Sequence, residues 1–286
     1  MNRPQTQASY EARLARVVDH IYSHLDDDIR LDDLAEIACI SRYHWHRIYV
    51  AMRGETIAAT IRRLRLLRAA DRLANTGEPI KAIAERAGYG AVDAFARAFR
   101  DAYGMTPADY RSNGSHAAFK AATRDQDAEG FPVDIVTLPP TRCAVAAHVG
   151  SYMQIDKAMT RLFSELGRRQ LLKPGQDMRA VFLDDPDLVA VDRLRSKACT
   201  PIADDAIVPA ALETMILRGG IYARLSYRGP YADMKDAYRW LFGVWLPESG
   251  YESDDAPVFE TYRNSPMEVA PSDLLTDIHL PLSDRP

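Results

Sequence analysis

The sequence predicts two domains of different fold class: an all-α domain with two helix-turn-helix units, followed by an α+β domain built from two strand–helix–strand–strand repeats. Three observations lead to this prediction. The chain has 286 residues, which is enough for two domains of about 100–200 residues each. Apolar residues recur at helical spacing as far as residue 112, and the spacing changes to that of strands from residue 133 onward. Beyond that point, one segment repeats another at a constant offset of 79 residues.

The composition is that of a globular protein, with 47% hydrophobic and 27% charged residues. No run of about 18 uncharged apolar residues occurs, so we expect no membrane span. Three cysteines, Cys39, Cys143 and Cys199, are too far apart in sequence to form a disulfide framework. The N-terminus lacks the apolar core of a secretory signal. We therefore expect a cytoplasmic protein with reduced thiols.

Charge is divided unequally along the chain. Residues 1–114 carry 17 basic and 15 acidic side chains, a net charge of +2, whereas the remainder has a net charge of −6. The stretch 42–72 is predicted either to face phosphates or to be a solvated helix face. It contains eight arginines: Arg42, Arg47, Arg53, Arg62, Arg63, Arg65, Arg68 and Arg72.

The first helix-turn-helix unit follows an opening helix with an apolar stripe on one face. A short helix is predicted over 31–39, and a tight connection then leads to a helix over 42–52. Ser41 is a suitable N-cap for the second of these helices, because its hydroxyl can accept from an orphan backbone N–H. Short helix, tight turn and capped helix form a helix-turn-helix unit.

A long helix over 55–75 joins this unit to a second one. Residues 80–88 repeat the pattern of residues 31–39, and a further helix is predicted over 91–103. Three segments of this domain resemble the DNA-binding domain of the AraC/XylS transcriptional regulators: LDDLAEIACISRYHWHRIYVAMRG, TIRRLRLLRAADRLANTG and IKAIAERAGYGAVDAFARAFRDAYGMTPADYR. The resemblance implies that two recognition helices enter successive major grooves on one face of the duplex.

The resemblance also implies which side chains read the bases. They are Tyr43, His46 and Arg47 in the first recognition helix, and Val92, Asp93, Ala96 and Arg97 in the second. Arg47 suits a bidentate bond with guanine. Asp93 is expected either to accept from cytosine N4 or only to hold Arg97 in place. Val92 and Ala96 offer methyl contacts, so the second helix is expected to read DNA more weakly.

The second domain begins after a predicted linker. Residues 115–131 are small and polar, which sets the domains at 1–114 and 132–286. Strands are predicted over 133–138 and 142–149. The repeat follows, and each copy contains a helix whose apolar face must cover a sheet.

This domain resembles the GyrI-like small-molecule-binding domain, in HVGSY, YRGPYADMKDAYRWLFGVWLPESGYE, VFETYRN and LLTDIHLPL. The ligand carboxylate of that family falls on Glu260, and Tyr262 shares its sheet face. The predicted pocket consists of His148, Tyr227, Trp245, Glu260 and Tyr262. Core packing is the alternative for Trp245, and an ordinary ion pair is the alternative for Glu260.

These features lead to the hypothesis of a sequence-specific DNA-binding transcriptional regulator that senses a small aromatic or cationic effector. The expected partners are double-stranded promoter or operator DNA, the effector and RNA polymerase, with no membrane and no cofactor. The sequence contains no glycine-rich phosphate loop, metal-ligand cluster or nucleophile motif, so we expect no enzyme. A GyrI-like domain acting as a hydrolase, or as a protein-interaction module, is the alternative.

Overall fold

The computed structural model describes residues 3–27, 29–41, 44–113, 130–173 and 175–283. The chain divides into two compact units near residue 117. The first unit is helical, and its helices are α1 Arg3–Ser23, α2 Leu31–Ala38, α3 Trp45–Arg53, α4 Ile57–Asn75, α5 Ile80–Arg86, α6 Val92–Tyr103 and α7 Pro107–Asn113. Within the described ranges, no helix combines the length and apolarity needed to cross a membrane.

The two helix-turn-helix units share one turn geometry. Cys39 adopts a left-handed conformation directly after α2, with φ 51°. Gly88 has φ 82° at the equivalent place after α5. This left-handed conformation is one that glycine adopts without steric cost. The repeat seen in the sequence is therefore present in the backbone.

Helices α3 and α4 are described from Trp45 and Ile57 onward, whereas the predicted helices begin at residues 42 and 55. Before α3, the carbonyl oxygen of Ser41 accepts the backbone N–H groups of His44 and Trp45 at 2.9 and 3.0 Å. Residues 42 and 43 lie outside the described residues. The long helix α4 begins after Thr56, whose hydroxyl accepts from the backbone N–H of Ala59 at 3.1 Å.

We expect Thr56→Ala to lower the free energy of unfolding of the full chain by about 1 kcal/mol, because an orphan N–H at the start of α4 loses its acceptor. Urea unfolding followed by far-UV circular dichroism measures the change. Thr56→Ser retains the hydroxyl and is the matched control. A loss of the same size in both variants would show that the methyl group, and not the cap, supplies the stability.

Four arginines of the stretch 42–72 form hydrogen bonds or ion pairs within the first unit. Arg65 donates to the carbonyl oxygens of Leu25 and Asp27 at 2.9 and 2.6 Å, just beyond the end of α1. Three others bind carboxylates, in the pairs Arg63–Glu55 at 2.7 Å, Arg68–Asp26 at 3.1 Å and Arg72–Glu78 at 2.7 Å. These four side chains therefore have partners within the first unit, which leaves fewer arginines of the stretch available to face phosphates. Arg47 and Arg62 are exposed.

The second unit is one antiparallel sheet with helices on one face, so the predicted α+β class is confirmed. Its strands are β1 Val133–Leu138, β2 Thr141–Val149, β3 Met178–Phe182, β4 Arg195–Pro201, β5 Glu213–Leu217, β6 Gly220–Arg228, β7 Phe259–Tyr262 and β8 Leu275–Pro281. Each repeat thus contains two strands before its helix, as predicted for the first repeat and one more than predicted for the second. The unpredicted strand is β5, whose burial pattern shows four of its five residues outside the core.

The repeats exchange their first strands. The strand order is β1-β6-β8-β7-β3-β4-β2-β5, so β1 pairs with the second repeat and β5 with the first. Only Pro139 and Pro140 separate β1 from β2, although these strands lie near opposite edges. The sheet must therefore curl until its edges approach. Gly219, in the equivalent connection between β5 and β6, packs so closely on Pro140 that a Cβ there would lie 2.5 Å from its Cδ.

Each repeat covers its half of the sheet with one helix. Helix α8 Ile155–Arg168 buries Ala158, Leu162 and Leu166 against the first repeat. Helix α9 Met234–Trp240 covers the second and continues through a π-helical turn at Leu241–Trp245. The wider turn changes the phase of the helix, and Phe242, within that turn, is 43% exposed.

The predicted linker ends one residue too late. Phe131 is 9% exposed and packs edge-on against Trp240, with ring centroids 5.6 Å apart. It belongs to the core of the second repeat, because the aromatic ring has apolar neighbours there that a solvated linker lacks. Residues 115–129 of the predicted linker lie outside the described residues.

Candidate functional site

Helix α3, predicted to be the first recognition helix, has a buried and an exposed side. Trp45 and Tyr49 are 4% and 1% exposed and pack edge-on with ring centroids 5.9 Å apart. His46 and Arg47 are exposed. The helix is thus anchored by its aromatic residues and leaves the predicted base-reading side chains accessible. Tyr43, predicted to act with them, lies outside the described residues.

Helix α6, predicted to be the second recognition helix, is also buried on one side and exposed on the other. Phe95 and Phe99 are fully buried, whereas Val92, Asp93 and Arg97 are exposed. Its remaining predicted contact, Ala96, is half-buried. Asp93 and Arg97 are both described, and no ion pair joins them. The idea that Asp93 only holds Arg97 in place therefore has no support in the structure.

Glu260 lies at the centre of the second unit. Its strand β7 pairs with β3 of the first repeat, and Glu260 stands opposite Ala180. On the other side, it stands opposite Ile278 of β8. Ala180 and Ile278 pack beneath the helices, so Glu260 projects from the helix-covered face at the junction of the two repeats. It is 4% exposed.

Tyrosine hydroxyls surround this carboxylate. Tyr238 of α9 donates a hydrogen bond to Glu260 Oε1 at 2.8 Å, and the hydroxyl of Tyr262 also interacts with the carboxylate. Burial raises the pKa of Glu260 to about 7, although both hydroxyls favour the ionised form and lower the pKa. Among the described residues, no lysine or arginine forms an ion pair with Glu260.

Three further side chains, which the sequence-based pocket lacks, lie at the starts of the two helices. Tyr231 packs edge-on against Tyr262 with ring centroids 5.5 Å apart. Tyr152 packs edge-on against Phe182 at the end of β3, 4.7 Å between centroids. Asp156 lies one helical turn beyond Tyr152, and its Oδ1 is buried without a hydrogen-bond partner among the described residues. Burial raises the pKa of Asp156 to about 7.

The repeat itself contains the signal that identifies two of the missed residues. Tyr152 and Tyr231 are equivalent, each following Gly-Ser or Gly-Pro at the offset of 79 residues. Both enter short 3₁₀ turns that precede the helices. No such signal marks Asp156, whose equivalent in the second repeat is Lys235.

His148 and Tyr227, two predicted pocket residues, have other partners. The ring Nε2 of His148 is hydrogen-bonded to the carbonyl oxygen of Ser151 at 3.0 Å. The hydroxyl of Tyr227 donates to the carbonyl oxygen of Pro230 at 2.6 Å. These side chains are equivalent in the two repeats, and each closes the turn that leads from a strand to its helix. The structure does not bring them to the Glu260 carboxylate.

Trp245, also predicted in the pocket, is partly buried and packs on the core of the second repeat. This environment is the one expected from the core-packing alternative. Among the described residues, no three histidine, cysteine or acidic side chains gather closely enough to hold a metal ion.

The two units define a class of protein, one that joins a double helix-turn-helix domain to a domain with a buried carboxylate among tyrosine side chains. A model of the GyrI-like small molecule binding domain matches residues 131–283, and one of a helix-turn-helix domain matches residues 34–113. The chain belongs to the GyrI-like family, with an AraC-type helix-turn-helix domain ahead of it.

Similar proteins match parts of the chain. Over 103 residues it is 34% identical to the uncharacterized HTH-type transcriptional regulator YbfP of Bacillus subtilis, covering 36% of this chain and 35% of YbfP. Regulatory protein SoxS of Salmonella typhimurium is 32% identical over 36% of this chain and 96% of its own length. The DNA gyrase inhibitor of that organism is 35% identical over 31% of this chain and 59% of its own. The chain spans about a third of the length of YbfP and of PocR.

One similar solved structure is the cryo-EM structure of the EcmrR–DNA complex in EcmrR-RPo. The similarity covers 89% of this chain and 85% of that chain, with 15% identity and a TM-score of 0.48. The DNA-binding domain of AdpA with a target DNA is 28% identical over 40% of this chain and 96% of that chain, with a TM-score of 0.34.

Proposed function

We propose that the protein is a DNA-binding transcriptional regulator whose second unit binds a small aromatic cation. The observation that carries the ligand part is the Glu260 carboxylate, 4% exposed and without a basic partner among the described residues. A buried carboxylate is costly unless a charge or several hydrogen bonds compensate it. Tyr238 and Tyr262 compensate it in part, and a cationic ligand would complete the compensation.

The aromatic rings around Glu260 suit the same ligand. A cation over a tyrosine face gains about 0.5–2 kcal/mol from the ring quadrupole. Tyr152, Tyr231, Tyr238 and Tyr262 are each half-buried, so none of these residues is fully shielded from solvent. In this proposal the ligand-binding residues are Glu260 and these four tyrosines. His148, Tyr227 and Trp245 support the turns and the core around them.

Ethidium, an aromatic cation, tests the ligand part, with neutral phenanthridine as a control of similar shape. We expect ethidium to raise the melting temperature of the full chain, because a ligand that binds only the folded state stabilises it. Phenanthridine should have a smaller effect. Chemical conversion of a bound compound would favour the hydrolase alternative, and no response to any cation would favour a protein partner.

The DNA part of the proposal concerns the exposed sides of α3 and α6. Exposed His46 and Arg47 are suited to base edges in the major groove, and Val92, Asp93, Ala96 and Arg97 to a second, weaker readout. The proposed partners are double-stranded operator DNA and RNA polymerase.

We expect Arg47→Ala to weaken binding to a cognate site by about 1–3 kcal/mol and to relax the base preference at one position, because a bidentate arginine both binds and discriminates. Fluorescence anisotropy on a site selected from random DNA, and on unselected DNA, measures both effects. Arg62→Ala, which removes an exposed arginine of α4, is the matched control. Equal losses on the two DNAs for Arg47→Ala would make Arg47 a phosphate contact.

A further inference from the structure

A chain of hydrogen bonds connects α3 to the start of α4. The hydroxyl of Tyr49 lies 2.9 Å from Oγ1 of Thr60, and the two residues are 1% and 3% exposed. Thr60 in turn donates to Glu55 Oε1 at 2.9 Å. Arg63, further along α4, donates to the same oxygen at 2.7 Å. The chain therefore joins α3, the turn that follows it and α4.

The donor of each hydrogen bond in this chain follows from the chemistry of the groups. Glu55 forms an ion pair with Arg63, and an ionised carboxylate only accepts hydrogen bonds. Thr60 has one hydroxyl proton, which it donates to Glu55 and, at 3.3 Å, to the carbonyl oxygen of Thr56. Tyr49 must therefore donate to Thr60. Every hydroxyl of the chain has a partner, and a fully satisfied buried network specifies one arrangement of the elements that it joins.

The second helix-turn-helix unit has aromatic rings at the positions that form this chain in the first. It follows the first unit at a constant offset of 50 residues, so Phe99 corresponds to Tyr49. In the same way, Tyr110 corresponds to Thr60. Phe99 and Tyr110 pack edge-on with ring centroids 5.2 Å apart. Ring packing between α6 and α7 thus takes the place of the hydroxyl chain between α3 and α4.

Base reading by α3 depends on where this helix lies. His46 and Arg47 are exposed and suited to hydrogen bonds with base edges, which need the reading groups to be placed within about 0.5 Å. Tyr49 follows Arg47 by two residues in a helix of nine residues. A shift of α3 that breaks the hydrogen bond of Tyr49 therefore also moves Arg47. Apolar packing is not directional, so by itself it would allow α3 more freedom to slide or turn.

We infer that Tyr49 is a positioning residue for base reading by α3. Its hydroxyl, bonded through Thr60 to Glu55, fixes the direction of the helix, and the base preference of the half-site that α3 contacts depends on it. The inference rests on the proposed DNA-binding function and adds a buried residue to those that set its specificity.

Tyr49→Phe tests the inference, because it removes the hydroxyl and retains the ring. Thr60 keeps its bond to Glu55 in this variant, so no buried donor loses its acceptor. Fluorescence anisotropy of the full chain measures affinity for a site selected from random DNA, for its single-base variants and for unselected DNA. The half-site of α3 is the one whose base preference changes in the double variant His46→Ala/Arg47→Ala.

We expect Tyr49→Phe to reduce discrimination among bases in the α3 half-site roughly fivefold, the change that the net contribution of one hydrogen bond produces. Discrimination in the other half-site should not change. Thr60→Val interrupts the chain at its next link and should show the same pattern, whereas Thr60→Ser keeps the hydroxyl and should retain the wild-type discrimination. Tyr49→Phe/Thr60→Val should lose no more than either single variant, because both act through one chain.

Tyr110→Phe, which removes a hydroxyl from the position equivalent to Thr60, is the control and should leave the α3 half-site unaffected. Urea unfolding verifies that each variant is folded under the binding conditions. Unchanged discrimination in Tyr49→Phe would overturn the inference, and so would equal weakening on cognate, substituted and unselected DNA, because a merely structural role gives that result.

The inference and the proposed function can fail separately. If the wild type prefers no base at any position, the proposed DNA-binding function fails, and the inference fails with it. If His46→Ala/Arg47→Ala changes the preference at no position, α3 reads no base and the inference is overturned. If the wild type discriminates in both half-sites and Tyr49→Phe retains that discrimination, only this inference fails.

Discussion

Glu260→Gln is expected to abolish cation binding at pH 8 and at the same time to stabilise the ligand-free protein. The amide keeps the shape and an oxygen for the Tyr238 hydroxyl, but it cannot pair with a cation. Loss of a charge partner in a partly desolvated site costs about 1.5–3 kcal/mol, or tenfold or more in affinity. Fluorescence titration with ethidium measures this loss.

The stabilising effect follows from the raised pKa of Glu260, about 7 in the folded protein against an ordinary value of 4.5. Between these values the folded state binds more protons than the unfolded state, so the free energy of unfolding falls as pH rises through this window. Above pH 7 the wild type carries the full penalty of a buried carboxylate. We expect the free energy of unfolding of Glu260→Gln to exceed that of the wild type by about 1–3 kcal/mol at pH 8. At pH 5 the two values should differ little.

Urea unfolding of the full chain at the two pH values measures this difference, and Glu213→Gln, on the edge strand β5, is the control that should show none. For the same reason, cation affinity of the wild type should fall as pH drops below 7. If Glu260→Gln changed the free energy of unfolding equally at both pH values, burial of an ionised Glu260 would not destabilise the folded wild type. Unchanged ethidium affinity would remove Glu260 from the site.

Phe99→Ala is expected to lower the free energy of unfolding by about 3–5 kcal/mol, because it removes a fully buried ring and leaves a cavity. Phe99 is 0% exposed. It stacks on Tyr103 with ring centroids 4.4 Å apart and packs edge-on against Tyr110 at 5.2 Å. The loss is a large part of the stability of a small domain, so DNA binding should fail as well.

Far-UV circular dichroism during urea unfolding measures the stability of this variant, and anisotropy measures its DNA affinity. Arg100→Ala changes the next residue of α6, which is exposed, and should have a small effect on stability. Equal stability of Phe99→Ala and the wild type would show that the aromatic cluster does not hold α6 in place.

Local patterns were sufficient to predict much of the first unit. The paired helix-turn-helix units follow from apolar spacing and from the similarity of residues 31–39 and 80–88, because helix formation and short turns depend on neighbouring residues. The partners of the arginines in the stretch 42–72 were not predictable from local patterns. Arg65 and Arg68 bind groups at the end of α1, some forty residues earlier in the chain, and only the packing of α4 on α1 brings these partners together.

By itself, the sequence determined the repeat, the position of Glu260 in it and the shared sheet face of Glu260 and Tyr262, since side chains two residues apart in a strand point the same way. Only the tertiary structure decided what surrounds that carboxylate. The exchange of β1 and β5 and the pairing of β7 with β3 join the two repeats at Glu260. Tyr238 donates a hydrogen bond to it and Tyr231 packs against Tyr262, because long-range strand pairing, which no local pattern encodes, sets which elements become neighbours.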